Sequence, residues 1–156
     1  SHRGARDLKC RAQLHQIVHS MSLYAEAFGG RLPPAGGQGS GESPGAIAES
    51  WADVLIETQY ILPEFLVSPA AFEQDRSSYL FVPADRLDGE PTRVLLYEVP
   101  GMHGKHGVHV AYHDGHIETL PLQEAERLIA ALTAAHGPAS QPPLHRDDDD
   151  RVRPGE

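Results

Sequence analysis

The chain has little of what usually identifies a small exported protein or an enzyme. Its 156 residues include one cysteine, Cys10, so no disulfide can form within the chain and the redox compartment stays open. No apolar run reaches the ~18–20 residues that cross a bilayer, and there is no signal-peptide pattern. The glycine motifs of nucleotide sites and the Gly-x-Ser-x-Gly nucleophile motif are also missing. We therefore expect no enzyme activity.

The charge of the chain is strongly acidic. The formal net charge is −9, and residues 147–150 are four consecutive aspartates. An acidic surface repels phosphate backbones, so we expect no nucleic-acid partner. The aspartate run lacks the spaced ligands and the glycine of a calcium loop, which favours a solvated tail.

Residues 5–28 carry the strongest helical pattern. Gly29 and Gly30 follow this stretch and predict its end, because glycine readily adopts the left-handed conformation found at helix ends. The predicted helix is ~36 Å long, so its single apolar side should lie across a compact body. That apolar side consists of Cys10, Leu14, Ile17, Val18, Met21, Tyr24, Ala25 and Phe28.

The rest of the chain alternates loops with short elements. A loop rich in Pro, Gly and Ser (31–45) precedes a predicted helix, which Ser43 could cap. Helices kept apart from a run of strands predict an α+β fold, with a long N-terminal helix packed on a small antiparallel β-sheet and short additional helices. The predicted elements are a helix at 46–62, strands at 77–83 and 92–100, a hairpin at 106–120 and a helix at 121–136.

We predict three regions along the chain. Residues 1–4 resemble a tag or linker, because Ser1-His2 could be the remnant of a cleaved tag, in which case the natural protein extends further upstream. Residues 5–136 form the globular domain. Residues 137–156, rich in Pro and Asp, form a disordered acidic tail.

The hairpin reads HGVHVAYHDGHIETL, from His106 to Leu120. Asp114-Gly115 predicts a two-residue type I′ turn, which needs positive φ at both positions. Strand alternation puts Val108, Val110 and Tyr112 on one face and His109, Ala111 and His113 on the other. We expect Val108, Val110, Tyr112 and Ile117 to pack against the long helix or under the sheet.

Five histidines lie between positions 103 and 116, and imidazole is the commonest metal ligand. His109 and His113 share a strand face but lie ~13 Å apart, too far for one metal ion without a bend. His113 and His116 flank the turn and pair across it, which makes them the better ligands. We expect no cofactor, although calcium or zinc could bind here. The favoured interpretation is that these histidines are solvated or structural, and a small enzyme using them is the least favoured alternative.

Two stretches together resemble one protein family. The first is 5–34, with Ala5-Arg6, Cys10, Leu14-His15-Gln16-Ile17, Tyr24, Gly29 and Pro33-Pro34 in order. The second is Asp114-Gly115-His116-Ile117-Glu118. Both resemble type IV pilin-like and type II secretion pseudopilin-like proteins, in particular the planctomycete-type prepilin-like group. That group ends in a His, nine residues and Asp-Gly. Here the spacer is ten residues from His103 and seven from His106.

The resemblance implies a structural subunit of an envelope filament or pseudopilus. The natural protein would carry an upstream apolar helix half that anchors it in the inner membrane and then packs against other subunits. The domain would be extracytoplasmic, with Asp114, Gly115, His116 and Glu118 forming the hairpin signature. The family often has a Cys-Pro near Ser68-Pro69, so the second cysteine of that pair is missing here. The alternative function is an extracytoplasmic metal-binding module using His109, His113 and His116.

Overall fold

One long helix and a four-stranded antiparallel sheet dominate the computed structural model, which describes residues 2–36 and 50–144. The predicted α+β class, with a long N-terminal helix and a small antiparallel sheet, is therefore confirmed. The elements are α1 (His2–Ala27), α2 (Trp51–Glu57), β1 (Tyr79–Phe81), β2 (Val94–Glu98), β3 (Val108–Tyr112), β4 (Ile117–Leu120) and α3 (Leu122–His136), with 3₁₀ turns at Pro63–Leu66 and Gly104–His106.

The helix α1 is buried along one side and ends where the glycines predict. Gly29 and Gly30 take φ values of 70° and 91°, the region that ends helices. Most of the predicted apolar side is buried between Cys10 and Ala25, but Phe28 is exposed. The helix begins at His2, so the predicted boundary between a linker at 1–4 and the domain is not visible in the backbone. Neither α1 nor any other described helix is long and apolar enough to cross a membrane.

The second helix is shorter than its pattern predicts. Ser50 is its N-cap and forms a capping box with Asp53. The helix ends at Glu57 because Gln59 takes a positive φ of 66° and the Tyr60 N–H bonds back to the Leu55 carbonyl. The predicted start, including Ser43, lies outside the described residues.

The sheet has the order β1-β2-β3-β4 and is covered on both faces. Apolar side chains of one face pack in the cluster that contains α1 residues, and those of the other face pack with α3. Val108, Val110 and Tyr112 belong to the α3 side, whereas Ile117 belongs to the α1 side. The domain therefore has three layers, and the histidine face of β3 is buried between the sheet and α1.

The hairpin turn differs from the predicted two-residue turn. Ala111 pairs with Ile117, the Tyr112 N–H bonds to the His116 carbonyl and the Gly115 N–H bonds to the Tyr112 carbonyl. Positive φ occurs at Gly115 (96°) but not at Asp114. These bonds define a three-residue loop, in which a tight turn is closed by a glycine. As a result, Tyr112 and not His113 lies opposite His116.

The segment after α3 returns to the sheet instead of leaving it as a tail. Ser140 exchanges two backbone hydrogen bonds with Phe81, of 2.9 and 3.0 Å, along the outer edge of β1. Ser140 and Leu144 are buried, and the Trp51 indole N–H donates to the Ser140 carbonyl. This contact covers an edge that would otherwise expose unpaired backbone groups. The rest of the predicted tail, including Asp147–Asp150, lies outside the described residues.

Candidate functional site

A row of polar side chains crosses the buried face of the sheet beneath α1. Tyr79 on β1 pairs with Glu98 on β2. The backbone N–H of His109 on β3 donates to Glu98 Oε1 at 2.8 Å. The side chains of all three residues are almost completely buried. The row interrupts an otherwise apolar layer, so each of its polar atoms needs a partner to offset lost hydration.

Glu98 is the centre of this row. Its Oε1 lies 2.9 Å from His109 Nδ1, and its Oε2 lies 3.4 Å from His103 Nε2. Burial by itself raises the pKa of a carboxyl group, but the close imidazoles of His103 and His109 and the backbone N–H of His109 outweigh burial and hold the pKa of Glu98 below its usual value. The Glu98 carboxylate is therefore ionised, between two imidazoles and without contact with water.

The helix contributes a thiol and an amide to the same region. Cys10 Sγ lies 2.6 Å from Ser68 Oγ, and neither side chain is exposed. The Tyr79 hydroxyl donates to Gln13 Oε1 at 2.7 Å and lies 3.2 Å from the Cys10 carbonyl oxygen. Burial raises the pKa of the Tyr79 hydroxyl, and neighbouring Cys10 and Glu98 add to this effect. Tyr79 therefore stays neutral and acts as a donor.

Three of these residues form a group that could hold a metal ion. One ligand atom each of Cys10, Glu98 and His103 lies within 4.8 Å of the other two, and within the part of the chain that the structure describes no other such group of three is found. Thiolate, imidazole and carboxylate are together the ligands of zinc and related transition metals. A calcium ion would instead need six to eight oxygen ligands, so this group does not suit calcium.

The histidines that the sequence favours as ligands do not converge. His109 faces Glu98. His113 Nδ1 lies 3.0 Å from Oδ1 of Asp88, which belongs to the loop between β1 and β2. His116 lies against Asp114 and Glu118 on the surface. The expected pairing of His113 with His116 is wrong because the loop has three residues. The favoured interpretation allowed solvated or structural histidines, and His109 and His113, which are only 1% and 3% exposed, are not solvated.

The hairpin signature residues form a local surface arrangement. The His116 N–H donates to Asp114 Oδ1 at 3.0 Å, which fixes the loop. The His116 ring stacks on Tyr112 with centroids 4.4 Å apart, and the Tyr112 hydroxyl donates to Glu118 Oε1 at 3.1 Å. Hydrogen bonding to Asp114 raises the pKa of His116, and burial followed by the Glu118 contact raises the pKa of Tyr112 to about 12. These contacts stabilise a turn.

Two members of the buried group, Glu98 and His103, were not predicted as site residues from the sequence. Glu98 sits in the apolar segment 92–100, where an acidic residue two positions after Leu96 was the available signal, because both face the same side of a strand. His103 lies in the loop before β3, and the motif spacing does not distinguish it from His106. The structure separates the two, since His103 contacts Glu98 and His106 is exposed.

Comparison of the chain with protein-family models, with curated proteins and with solved structures finds no match.

Proposed function

We propose that this chain is the extracytoplasmic domain of a pilin-like or pseudopilin-like structural subunit. The observation that carries the proposal is the contact of 2.6 Å between Cys10 Sγ and Ser68 Oγ. The resemblance to the prepilin-like group implies a second cysteine near Ser68-Pro69. These two positions are 58 residues apart in the chain and adjacent in the fold, which supports the resemblance although the second cysteine is absent here.

The shape of α1 supports the same role. The helix contains 26 residues, ~39 Å, and among its side chains from Leu8 onward the first buried one is Cys10. Leu8 is 68% exposed. The backbone of the helix extends about two turns upstream of Cys10, which suits a helix that continues into an apolar anchor and packs against other subunits.

The body of the domain supports the proposal in a second way. The antiparallel sheet packs on α1 through one apolar cluster, and from Leu8 onward the opposite side of the helix is exposed. A subunit that polymerises through its N-terminal helix needs this division, with one side packed on its own sheet and the other available to neighbours. The proposed location is the cell envelope, in a filament or a type II secretion-like pseudopilus.

The gene upstream of Ala5 provides the first test. We expect a Gly-Phe-Thr-Leu-Ile-Glu-like segment that opens an apolar stretch of about 20 residues, after a short basic leader. A reading frame that lacks such a stretch would contradict the proposal. This test reads only the gene sequence and needs no substitution of Cys10 or Ser68. Its result therefore does not depend on the stability of the domain.

The alternative function, a metal-binding module built on hairpin histidines, has weaker support. Each of His109, His113 and His116 contacts a different carboxylate, namely Glu98, Asp88 or Asp114. The three histidines therefore do not converge on one calcium or zinc ion.

A further inference from the structure

We propose that Cys10, Glu98 and His103 form a zinc site that ties α1 to the sheet. The inference does not depend on the filament role, because it concerns donors gathered inside the domain. The three residues come from α1, from the end of β2 and from the loop that follows it. The Cys10 thiolate, a Glu98 carboxylate oxygen and the His103 imidazole are all common zinc ligands.

The distance between His103 Nε2 and Glu98 Oε2 matches two ligands of one metal ion better than it matches a direct hydrogen bond. Ligands bound ~2.0–2.3 Å from a tetrahedral zinc ion lie about 3.3–3.6 Å from each other. His103 Nε2 and Glu98 Oε2 are 3.4 Å apart, which is long for a charge-assisted hydrogen bond but matches two ligands of one ion. All three ligand atoms lie within 4.8 Å of each other, so side-chain movements would bring them to one ion, whose fourth position a water molecule would fill.

The two oxygens of Glu98 have separate surroundings. Oε1 accepts from the His109 N–H at 2.8 Å and lies 2.9 Å from His109 Nδ1. Oε2 instead faces His103. His109 thus fixes the orientation of the carboxylate and leaves Oε2 directed towards the group of donors. We assign His109 as a positioning residue, because partners that orient a ligating carboxylate strengthen metal binding without touching the metal.

Charge also favours a cation at this position. The Glu98 side chain is fully buried, so its carboxylate and a thiolate at Cys10 would be two negative charges removed from water. A divalent ion bound by both groups would neutralise these charges. The three ligands lie far apart in the chain and meet only in the folded domain, so the binding free energy of the ion would contribute to the stability of the fold.

Cobalt substitution tests the site directly. The full chain is unfolded, refolded with reductant and one equivalent of Co²⁺, and its near-ultraviolet absorption is recorded. Cys10 is the chain's one cysteine, so a sulfur-to-cobalt charge-transfer band can come only from Cys10. We expect this band in the wild-type protein and its loss in Cys10→Ser. We also expect Zn²⁺ to displace Co²⁺ with a stoichiometry of one.

Three further variants separate the roles of the histidines. His103→Gln removes a ligand and should weaken zinc binding at least about 100-fold, while His109→Gln should weaken it about 10–100-fold and keep the charge-transfer band. His116→Gln is the matched control, since His116 also lies 3.4 Å from a glutamate oxygen but on the surface, and it should leave zinc binding unchanged. No band in the wild-type protein after refolding with cobalt would overturn the proposal, and so would zinc binding that His116→Gln weakens and His103→Gln does not.

Discussion

Two pairs of histidine and glutamate in this domain have the same separation and very different surroundings. His103 and Glu98 lie 3.4 Å apart beneath α1, and His116 and Glu118 lie 3.4 Å apart beside the hairpin loop. The side chain of Glu98 is completely buried, whereas that of Glu118 is 50% exposed. The sequence concentrates its histidines around the hairpin. Because His103 and Glu98 are the more buried pair, we expect this pair to affect stability more.

The two pairs differ in whether water can hydrate one group after its partner is removed. An exposed ion pair is screened and contributes little, because each group remains hydrated when the other is removed. A buried pair that loses one member leaves the other without compensation, which is costly. The buried group of Cys10, Glu98 and His103 should therefore respond strongly to substitution, and the hairpin loop weakly.

The largest expected effect comes from truncating the two glutamates. Glu98→Ala leaves the His109 N–H and two imidazoles without their acceptor and should lower the free energy of unfolding by about 3–5 kcal/mol. Glu118→Ala is the matched control and should cost about 1 kcal/mol or less. Urea unfolding of both variants measures the difference. Equal losses in the two variants would show that burial does not separate the two pairs.

A smaller effect, of opposite sign, is expected from joining α1 to residue 68 by a covalent bond. In Ser68→Cys the new thiol should oxidise with Cys10 and stabilise the domain by about 2–4 kcal/mol relative to the same variant under reducing conditions. Ser78→Cys is the control, since Ser78 is equally buried but bonds to the Ser68 N–H and not to Cys10. Mass spectrometry detects the disulfide, and failure of the introduced thiol to pair with Cys10 would contradict the 2.6 Å contact.

The smallest expected effect is a pH dependence of stability, which has opposite signs for His113 and His116. Burial lowers the pKa of His113 below 6.5, opposed by Asp88 and assisted by Arg93. The stability linked to His113 is therefore present above pH 6.5 and is lost as pH falls through the folded pKa. Asp114 raises the pKa of His116 above 6.5, so its contribution is present below pH 6.5 and is lost as pH rises through the folded pKa.

These opposite signs give a test with an internal control. Between pH 8 and about pH 5.5, His113→Gln should lose less stability than the wild-type protein, and His116→Gln should lose more. Urea unfolding at the two pH values measures each slope. Parallel slopes in all three proteins would contradict the assignment of His113 to the interior and His116 to the surface.

Local patterns in the sequence predict much of the fold. The apolar side of residues 5–28 and the glycines after it predict α1, because helix periodicity and helix ends are local properties. Alternation of apolar residues likewise predicts β3 and β4. The predicted turn type was wrong because the choice between a two-residue and a three-residue loop depends on where His113 is directed, and Asp88 and Arg93 provide its contacts from another loop.

The candidate site was less predictable because its members are brought together by tertiary packing. Cys10 was predicted to lie on the apolar side of α1 that faces the body of the domain, and it is buried there. Its neighbours, however, lie 58 or more positions away, and no local pattern connects them to α1. The return of residues 139–144 to the edge of β1 was missed for the same reason, since Pro and polar residues resemble a tail until the exposed strand edge is considered.

The fate of the full-length gene product in its own host tests the filament role most directly. An antibody against this domain is used on sheared surface material, membranes and cytosol, in the wild type and in a strain without its prepilin peptidase. We predict a shortened, processed protein in the envelope and filament fractions, and a longer precursor confined to membranes when the peptidase is absent. An unprocessed protein in the cytosol, the same in both strains, would contradict the proposed function.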